Sequence, residues 1–194
     1  MTHEVALPSG VVEYRDSSTG TPVPGQSPHW SASSSRTPDT STEGGTMNGR
    51  SGPFWDGVEG RAPVPPAAAT LGFEFIEADV EAGTIEVAFA ATEAFTNPAG
   101  NVLGAFVAAM LYDTVGPALL ATLAPDQFQS TRQLTVTFLR PVRPSRVTGR
   151  GRIVHRDEDL VFLEASLLDA GRAVIATATA TAQVIPLNQA PVHA

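Results

Sequence analysis

The chain has 194 residues, of which 42% are hydrophobic, enough for one globular domain and a tail. Its formal net charge of −8 argues against nucleic acid or an anionic membrane as the main partner, because either would favour a basic surface. The lack of cysteine excludes disulfides, a thiol nucleophile and cysteine-ligated metal sites.

The first part of the chain differs in composition from the rest. Residues 1 to 52 are rich in Ser, Thr, Gly and Pro and poor in aliphatic side chains, which predicts a disordered tail. No apolar run typical of a signal peptide occurs there. The longest apolar run, Val102 to Tyr112, is shorter than the roughly 20 residues that span a bilayer. We therefore expect a cytoplasmic protein.

Residues 53 to 188 have the pattern of one domain, followed by a short C-terminal tail at 189 to 194. Phe54, Trp55 and Val58 predict a short amphipathic turn, which the prolines at 63 to 66 end. Apolar and polar residues then alternate with the period of half-buried strands. The predicted strands are 71–80, 83–90, 131–140, 147–156, 160–169 and 172–185.

A long helix is predicted within the stretch from Asn97 to Leu123. From Val102 onward this stretch is apolar on every side and has small residues three to four positions apart, so we expect a helix that is buried all round. Two strands, a helix and four strands make an α+β domain. The arrangement we expect is one strongly curved antiparallel sheet around a central helix.

The entrance to this helix is rich in turn formers. Asn97, Pro98, Gly100 and Asn101 place the first helical N–H groups at the end of a loop, where the positive end of the helix dipole can bind a developing negative charge. Asn97 could orient a nucleophile or a carbonyl, or could form an Asx turn. The residues leave these two roles open.

Asp113 is the only charged residue between Glu93 and Asp126. A carboxylate in an apolar helix is costly unless it is paired or hydrogen-bonded, so its presence calls for a reason. It could act as a general base or a nucleophile. It could equally make a polar contact across a dimer interface.

Seven of the twelve arginines fall within 25 residues of this acidic chain, from Arg132 to Arg156. Guanidinium groups bind phosphates in bidentate fashion, so Arg140, Arg143 and Arg146 are candidates for binding a phosphate-bearing ligand. The alternative is an exposed strand and loop protected by charge. None of the four histidines lies near the helix, and no metal-ligand spacing occurs, so we expect no metal site.

The pattern Asn97-x-x-Gly100-x-x-x-Gly104, followed by the apolar helix and by TVTFLRP at residues 135 to 141, resembles the hotdog-fold acyl-CoA thioesterases of the PaaI-like type. The likeness covers roughly residues 54 to 186. It implies that an acyl-CoA is hydrolysed without a cofactor, by water that a helix carboxylate activates. The phosphate groups of coenzyme A would then be the ligands of Arg140, Arg143 and Arg146. The resemblance also implies that the Gly104 N–H polarises the thioester, that Thr131 lies near the attacking water, and that the unit is a homodimer or a dimer of dimers.

The chain departs from the family pattern at several positions. Leu103 stands where His or Gln is usual, Ala105 replaces a glycine, and Tyr112 occupies the position of the catalytic Asp. Asp113 comes one residue later, and adjacent helical residues point about 100° apart, so we expect only one of the two to face the active site. A protein that binds acyl-CoA or serves as a scaffold, without the chemistry, is the alternative function.

Four apolar residues near the helix suggest an apolar or aromatic pocket: Phe95, Phe106, Met110 and Leu111.

Overall fold

The computed structural model describes residues 50–190 of the chain. The tails predicted for residues 1–52 and 189–194 therefore lie largely outside the described residues. Within those residues, no helix combines the length and the apolarity that a bilayer crossing requires.

Two short helices, α1 (Pro53–Val58) and α2 (Pro66–Leu71), precede the sheet. Each has a proline in its first turn, where a missing N–H costs nothing. α2 ends at Gly72, whose φ of 63° is a left-handed conformation that favours glycine. The strand start predicted at Leu71 is wrong, because the three alanines after Pro66 favour a helix and the strand begins at Glu74.

Six strands form one antiparallel sheet in the order β1-β2-β4-β5-β6-β3. Their alternation is clearest in β6, where Ala178, Ala180 and Ala182 are buried and the residues between them are not. The predicted set of two strands, a helix and four strands is confirmed. The largest boundary error is in β3, which begins at Gln127 rather than Thr131. The strands are β1 (Glu74–Asp79), β2 (Thr84–Ala91), β3 (Gln127–Phe138), β4 (Ser145–Asp157), β5 (Leu160–Leu168) and β6 (Val174–Pro186).

The central helix, α3 (Gly104–Leu120), packs on the sheet with Leu111, Val115 and Leu119 fully buried. The prediction that it is buried all round is wrong for the single chain. Tyr112 is 47% exposed, and Ala105, two turns earlier on the same side of the helix, is also exposed. The helix therefore has one face without a cover in the described part of the chain.

Two glycines of β4 allow α3 to lie close to the sheet. A Cβ on Gly149 would lie 2.5 Å from the Thr114 Oγ1, and a Cβ on Gly151 would lie 3.0 Å from the Thr114 carbonyl oxygen and 3.1 Å from the Ala118 Cβ. Any side chain at these positions would push the helix away. Gly149 and Gly151 therefore hold α3 at a fixed height and rotation.

α1 is attached to the C-terminal end of α3. The Trp55 indole Nε1 donates a hydrogen bond to the Ala121 carbonyl oxygen at 3.2 Å, and Trp55 is buried. The rings of Phe54 and Trp55 contact Phe75 of β1 edge-on, with centroids 6.0 Å and 5.8 Å away. The α1–α2 segment is thereby fixed beside the second half of the central helix.

Candidate active site

An apolar cavity of about 500 Å³ lies between the α1–α2 segment, the second half of α3 and the start of β3. Three polar side chains reach it: Tyr112, Asp113 and Gln129. Among residues 50–190, no three carboxylate or imidazole side chains are grouped as metal ligands would be. The cavity is suited to binding an apolar ligand group, with these three polar side chains beside it. Its wall is mainly aromatic rings and prolines, including Phe54, Pro63, Pro65, Phe73, Phe75 and Phe128.

The Asp113 carboxyl group is half-buried in the wall of this cavity. Its Oδ2 is fully buried and makes no hydrogen bond within the described residues. Burial removes water from the charged form, which raises the pKa of Asp113 from 3.8 to about 6. A carboxylate with such a pKa is mostly ionised at pH 7 and is a stronger base than an exposed aspartate. Asp113 can therefore take up and release a proton near neutral pH.

Tyr112 and Asp113 both line the cavity. The helix is continuous from Gly104 to Leu120, so no bulge turns either side chain. The cavity therefore does not distinguish the two residues, and the expectation that only one of them faces the active site stays a prediction. The two residues differ in solvent access, since Tyr112 is largely exposed and Asp113 is not.

The loop before α3 presents free N–H groups. Leu103 is the N-cap residue, and the N–H groups of Gly104 and Ala105 have no hydrogen-bond acceptor among residues 50–190. The Phe138 ring lies against Gly104, where a Cβ would be 3.3 Å from the ring. These N–H groups lie at the positive end of the helix, which favours a negative charge, and the oxyanion role that the resemblance implies for Gly104 stays a prediction.

The Asn97 side chain forms an Asx turn. Its Oδ1 accepts hydrogen bonds from the Ala99 N–H at 3.0 Å and from the Asn101 N–H at 3.2 Å. The Gly100 N–H also donates to the Asn97 carbonyl oxygen, at 2.8 Å. Of the two roles left open by the sequence, the turn-forming one is present, and it shapes the entrance to α3.

Gly104 and Asp113 lie nine residues apart on one straight helix, which separates them by about 13.5 Å along its axis. A carboxylate that acts on a thioester whose oxygen binds the Gly104 N–H would have to lie within a few ångströms of it. One chain therefore does not bring these two groups together at a single reacting carbon.

β3 contributes two polar side chains, Gln129 and Thr131, that lie next to each other. The Thr131 Oγ1 donates a hydrogen bond to the Gln129 Oε1 at 3.1 Å, and Gln129 lines the cavity. Thr131 was a candidate from the resemblance, whereas Gln129 was missed. Gln129 lies two residues before Thr131 and so shares its face of the strand, which could have indicated its role. It was missed because the predicted strand began only at residue 131.

The three arginines predicted to bind coenzyme A lie in different environments. The Arg143 Nη1 donates to the carbonyl oxygens of Ala99 and Gly100, both at 3.3 Å, and so braces the entrance loop. The Arg146 guanidinium pairs with Glu74 at 3.0 Å on the surface. The Arg140 side chain is exposed and makes no ion pair or hydrogen bond in the part of the chain that the structure describes, although its backbone N–H donates to the Ile175 carbonyl oxygen at 3.1 Å.

The pocket residues suggested by the sequence do not line this cavity. Phe95, Met110 and Leu111 are buried in the core, and Phe106 stacks on Phe95 with ring centroids 4.1 Å apart. That suggestion is wrong because it relied on nearness to the helix in the sequence. The aromatic rings that do line the cavity come mainly from residues 54–75, far from the helix in the chain.

Known proteins resemble this chain in sequence and structure. A family model described as the thioesterase superfamily matches residues 99–176, which include the end of the entrance loop from Ala99 onward and all of α3. A phenylacetic acid degradation-related protein from Ralstonia eutropha JMP134 is 38% identical, with a TM-score of 0.65 over 67% of this chain and 98% of that one. No curated protein sequence matches the chain.

Two other solved structures share the fold at lower identity. The PaaI protein from the E. coli phenylacetic acid degradation operon is 16% identical, with a TM-score of 0.60 over 68% of this chain and 93% of that one. A thioesterase from Haemophilus influenzae is 17% identical, with a TM-score of 0.63 over 74% of this chain and 97% of that one. At these identities the likeness concerns the fold alone.

Proposed function

The chain belongs to the thioesterase superfamily and has its hotdog fold, and from this premise we propose that it hydrolyses an acyl-CoA thioester to the free acid and coenzyme A. Thioester hydrolysis in general follows from the family. The acyl-CoA substrate, the catalytic residues and the assembly are our proposal. The observation that carries it is the Asp113 carboxyl group, which has a raised pKa in the wall of an apolar cavity.

Asp113 acts in this proposal as the general base. Its carboxylate takes a proton from a water molecule while the oxygen of that water bonds to the thioester carbon. The carbonyl oxygen becomes an oxyanion, which the N–H of Gly104 stabilises. When the tetrahedral intermediate collapses, the carbon–sulfur bond breaks, and the proton held by Asp113 passes to the leaving thiolate.

Two copies of the chain supply one active site in this proposal. Because about 13.5 Å of helix separates Gly104 from Asp113 in one chain, the oxyanion donor that serves Asp113 is Gly104 of the partner subunit. The uncovered face of α3, with Ala105 and Tyr112, would be covered by that subunit, as would the exposed Leu103 and Phe138 beside the helix entrance. The assembly is a homodimer or a dimer of dimers.

Arg140 is the arginine best placed to bind a phosphate of coenzyme A. Arg143 already binds two carbonyl oxygens, and Arg146 is paired with Glu74. The guanidinium of Arg140 is free to make a bidentate contact. The other two would add positive charge near it without being the main contact.

Hydrolysis and binding of a panel of acyl-CoA thioesters test the proposed function. The panel includes phenylacetyl-CoA, because two of the similar structures come from phenylacetic acid degradation, together with straight-chain acyl-CoAs of several lengths. We expect release of free thiol from at least one of them. Equilibrium binding without thiol release would instead support an acyl-CoA-binding protein, in which Tyr112 at the usual carboxylate position marks the loss of chemistry. If there is no thiol release and no binding, both the hydrolytic function and the acyl-CoA-binding function are contradicted.

A mixing experiment tests the shared active site. Asp113→Asn removes the base and Gly104→Pro removes the oxyanion donor, so each variant alone should have almost no activity. When the two are unfolded and refolded together, half of the dimers combine one of each, and each mixed dimer has one complete site. We expect about a quarter of the wild-type activity to return. No recovery, or a monomer of about 20 kDa by light scattering, would show that the site is not shared.

A further inference from the structure

Gln129 is the one buried polar side chain of β3 that opens into the cavity. It is 8% exposed, and the cavity wall around it is mainly aromatic and aliphatic. A glutamine in such a place is costly unless all of its amide hydrogen-bonding groups find partners. Any amide atom of Gln129 that has no hydrogen-bond partner in the protein is therefore available to bind a ligand.

The two ends of the Gln129 amide differ. The Oε1 accepts the hydrogen bond from the Thr131 Oγ1 at 3.1 Å. The Nε2 has two N–H groups and makes no hydrogen bond to any of residues 50–190. It keeps some solvent exposure, because the fully buried side-chain atoms without a partner in that part of the chain belong to Glu59 and Asp113. Because Thr131 holds the oxygen, the amide presents its donor end to the cavity.

Gly116 of α3 makes room for this donor end. A Cβ on Gly116 would lie 3.1 Å from the Gln129 Nε2, closer than a side chain normally approaches without displacing its neighbour. The small residue therefore lets the amide reach across the surface of the helix. Gly116 also lines the cavity, so the donor lies at the cavity wall rather than behind it.

Gly116, which the Gln129 Nε2 contacts, lies close to Asp113 on α3, so the Nε2 would lie beside an acyl group bound in the cavity. The two residues are three positions apart on α3, and residues at this spacing are neighbours on a helix surface. If Asp113 activates water at the thioester carbon, the Gln129 amide lies about one helical turn away from that carbon, toward the end of the cavity formed by Leu120 and Phe128.

We propose that Gln129 is a specificity-determining residue whose amide donates a hydrogen bond to an oxygen carried by the acyl group of the substrate. This inference rests on the proposed function, because it takes the cavity as the acyl pocket. The preferred acyl groups then carry a hydroxyl, keto or ether oxygen within the chain or on a ring. A hydrocarbon acyl group of the same shape binds less well, because it covers the Nε2 and leaves this donor with neither water nor a substrate oxygen as a partner.

Paired substrates with and without such an oxygen test the inference. An ether oxygen replaces one methylene of a straight-chain acyl-CoA and is moved one position at a time along the chain. It only accepts hydrogen bonds, so it responds to a donor and not to an acceptor. For one position of the oxygen we expect kcat/KM to exceed that of the methylene analogue by about threefold to tenfold. Calorimetry with the matching non-hydrolysable thioether analogues of coenzyme A should give the same preference in Kd.

Gln129→Leu and Gln129→Met should remove this preference while the enzyme still cleaves the hydrocarbon substrate. The matched control is Gln133→Leu, on the same strand but exposed, which should keep the preference. Thr131→Val should weaken it, because the amide is then free to turn its oxygen toward the cavity. Gly116→Ala should also weaken it by displacing the Nε2. If Gln129→Leu fails to fold, the Thr131 and Gly116 variants still test the inference.

The outcomes separate this inference from the proposed function. Hydrolysis with no oxygen preference at any position, or a preference that survives both Gln129 variants, would overturn the role of Gln129 alone. An oxygen preference in thioether binding without any thiol release would overturn the hydrolytic function alone. Absence of both release and preference would overturn both.

Discussion

We expect Asp113→Asn to lower kcat for the best acyl-CoA substrate by at least about a hundredfold. The amide has the shape of the carboxyl group but cannot take a proton from water. Binding of the substrate should change little, because the side chain keeps its volume in the cavity wall. The wild-type enzyme should lose activity as the pH falls through about 6, where the Asp113 carboxylate becomes protonated. The residual activity of the variant should lack this acid limb.

Thiol release measured from pH 5 to pH 9 checks this result. Asp126→Asn is the matched control, since it makes the same change at an exposed aspartate outside the cavity and should leave both kcat and the pH profile unaltered. Turnover that survives Asp113→Asn with its acid limb intact would show that another residue is the base, and Tyr112 would be the first to examine.

The same variant should be more stable than the wild type above pH 6. The pKa of Asp113 is about 6 in the folded protein, above its value near 4 in the unfolded chain. The wild-type protein therefore loses stability as the pH rises from about 4 to about 6, because the carboxyl group ionises while it is buried. Asparagine has no charge to desolvate. We expect a gain of up to about 3 kcal/mol in the free energy of unfolding at pH 8, and almost none at pH 4. A loss of Tm at pH 8 would mean that the carboxylate has a stabilising partner.

Gly104→Pro should lower kcat by about a hundredfold to a thousandfold, since the loss of one oxyanion donor costs about 2.7–4 kcal/mol of transition-state stabilisation. Gly104 is the first residue of α3, a position at which proline is well tolerated. The preceding Leu103 has φ −61° and ψ 136°, a conformation that a following proline permits. The substitution therefore deletes one N–H group without breaking the helix.

Gly104→Ala is the control for the added bulk. It keeps the N–H group and adds only a Cβ 3.3 Å from the exposed Phe138 ring, which can move. We expect it to retain most of the activity. Circular dichroism and acyl-CoA binding should be similar for both variants and the wild type. Equal loss of kcat in the alanine and proline variants would assign the effect to crowding instead of to the missing donor.

The fold could be predicted because its signals are local. Alternation in residues 83–90 and the long apolar stretch after Val102 each reflect burial of one segment against a neighbour. The burial of α3 was overestimated for a related reason. The residues of a helix face that another molecule would cover resemble those covered by its own sheet, so Ala105 and Tyr112 gave no sign of their exposure.

The cavity could be predicted only in part, because it joins distant segments. Asp113 stood out as a lone carboxylate, and its raised pKa fits that prediction. The wall opposite it comes from residues 53–75, and their place beside α3 depends on the hydrogen bond from Trp55 to Ala121. No periodicity in the sequence reports such a contact. The donor at Gln129 was missed for the same reason, since its role depends on the space left by Gly116.

The two glycines of β4 limit how activity could be regained once it is lost. With Thr114 packed 2.5 Å from the Cβ position of Gly149, α3 has no room to rotate and bring another residue into the place of Asp113. In a genetic selection that starts from Asp113→Asn, revertants should therefore restore the aspartate or introduce an acidic residue at position 112. Compensating changes elsewhere along the helix would be rare, so only a few substitutions would restore activity.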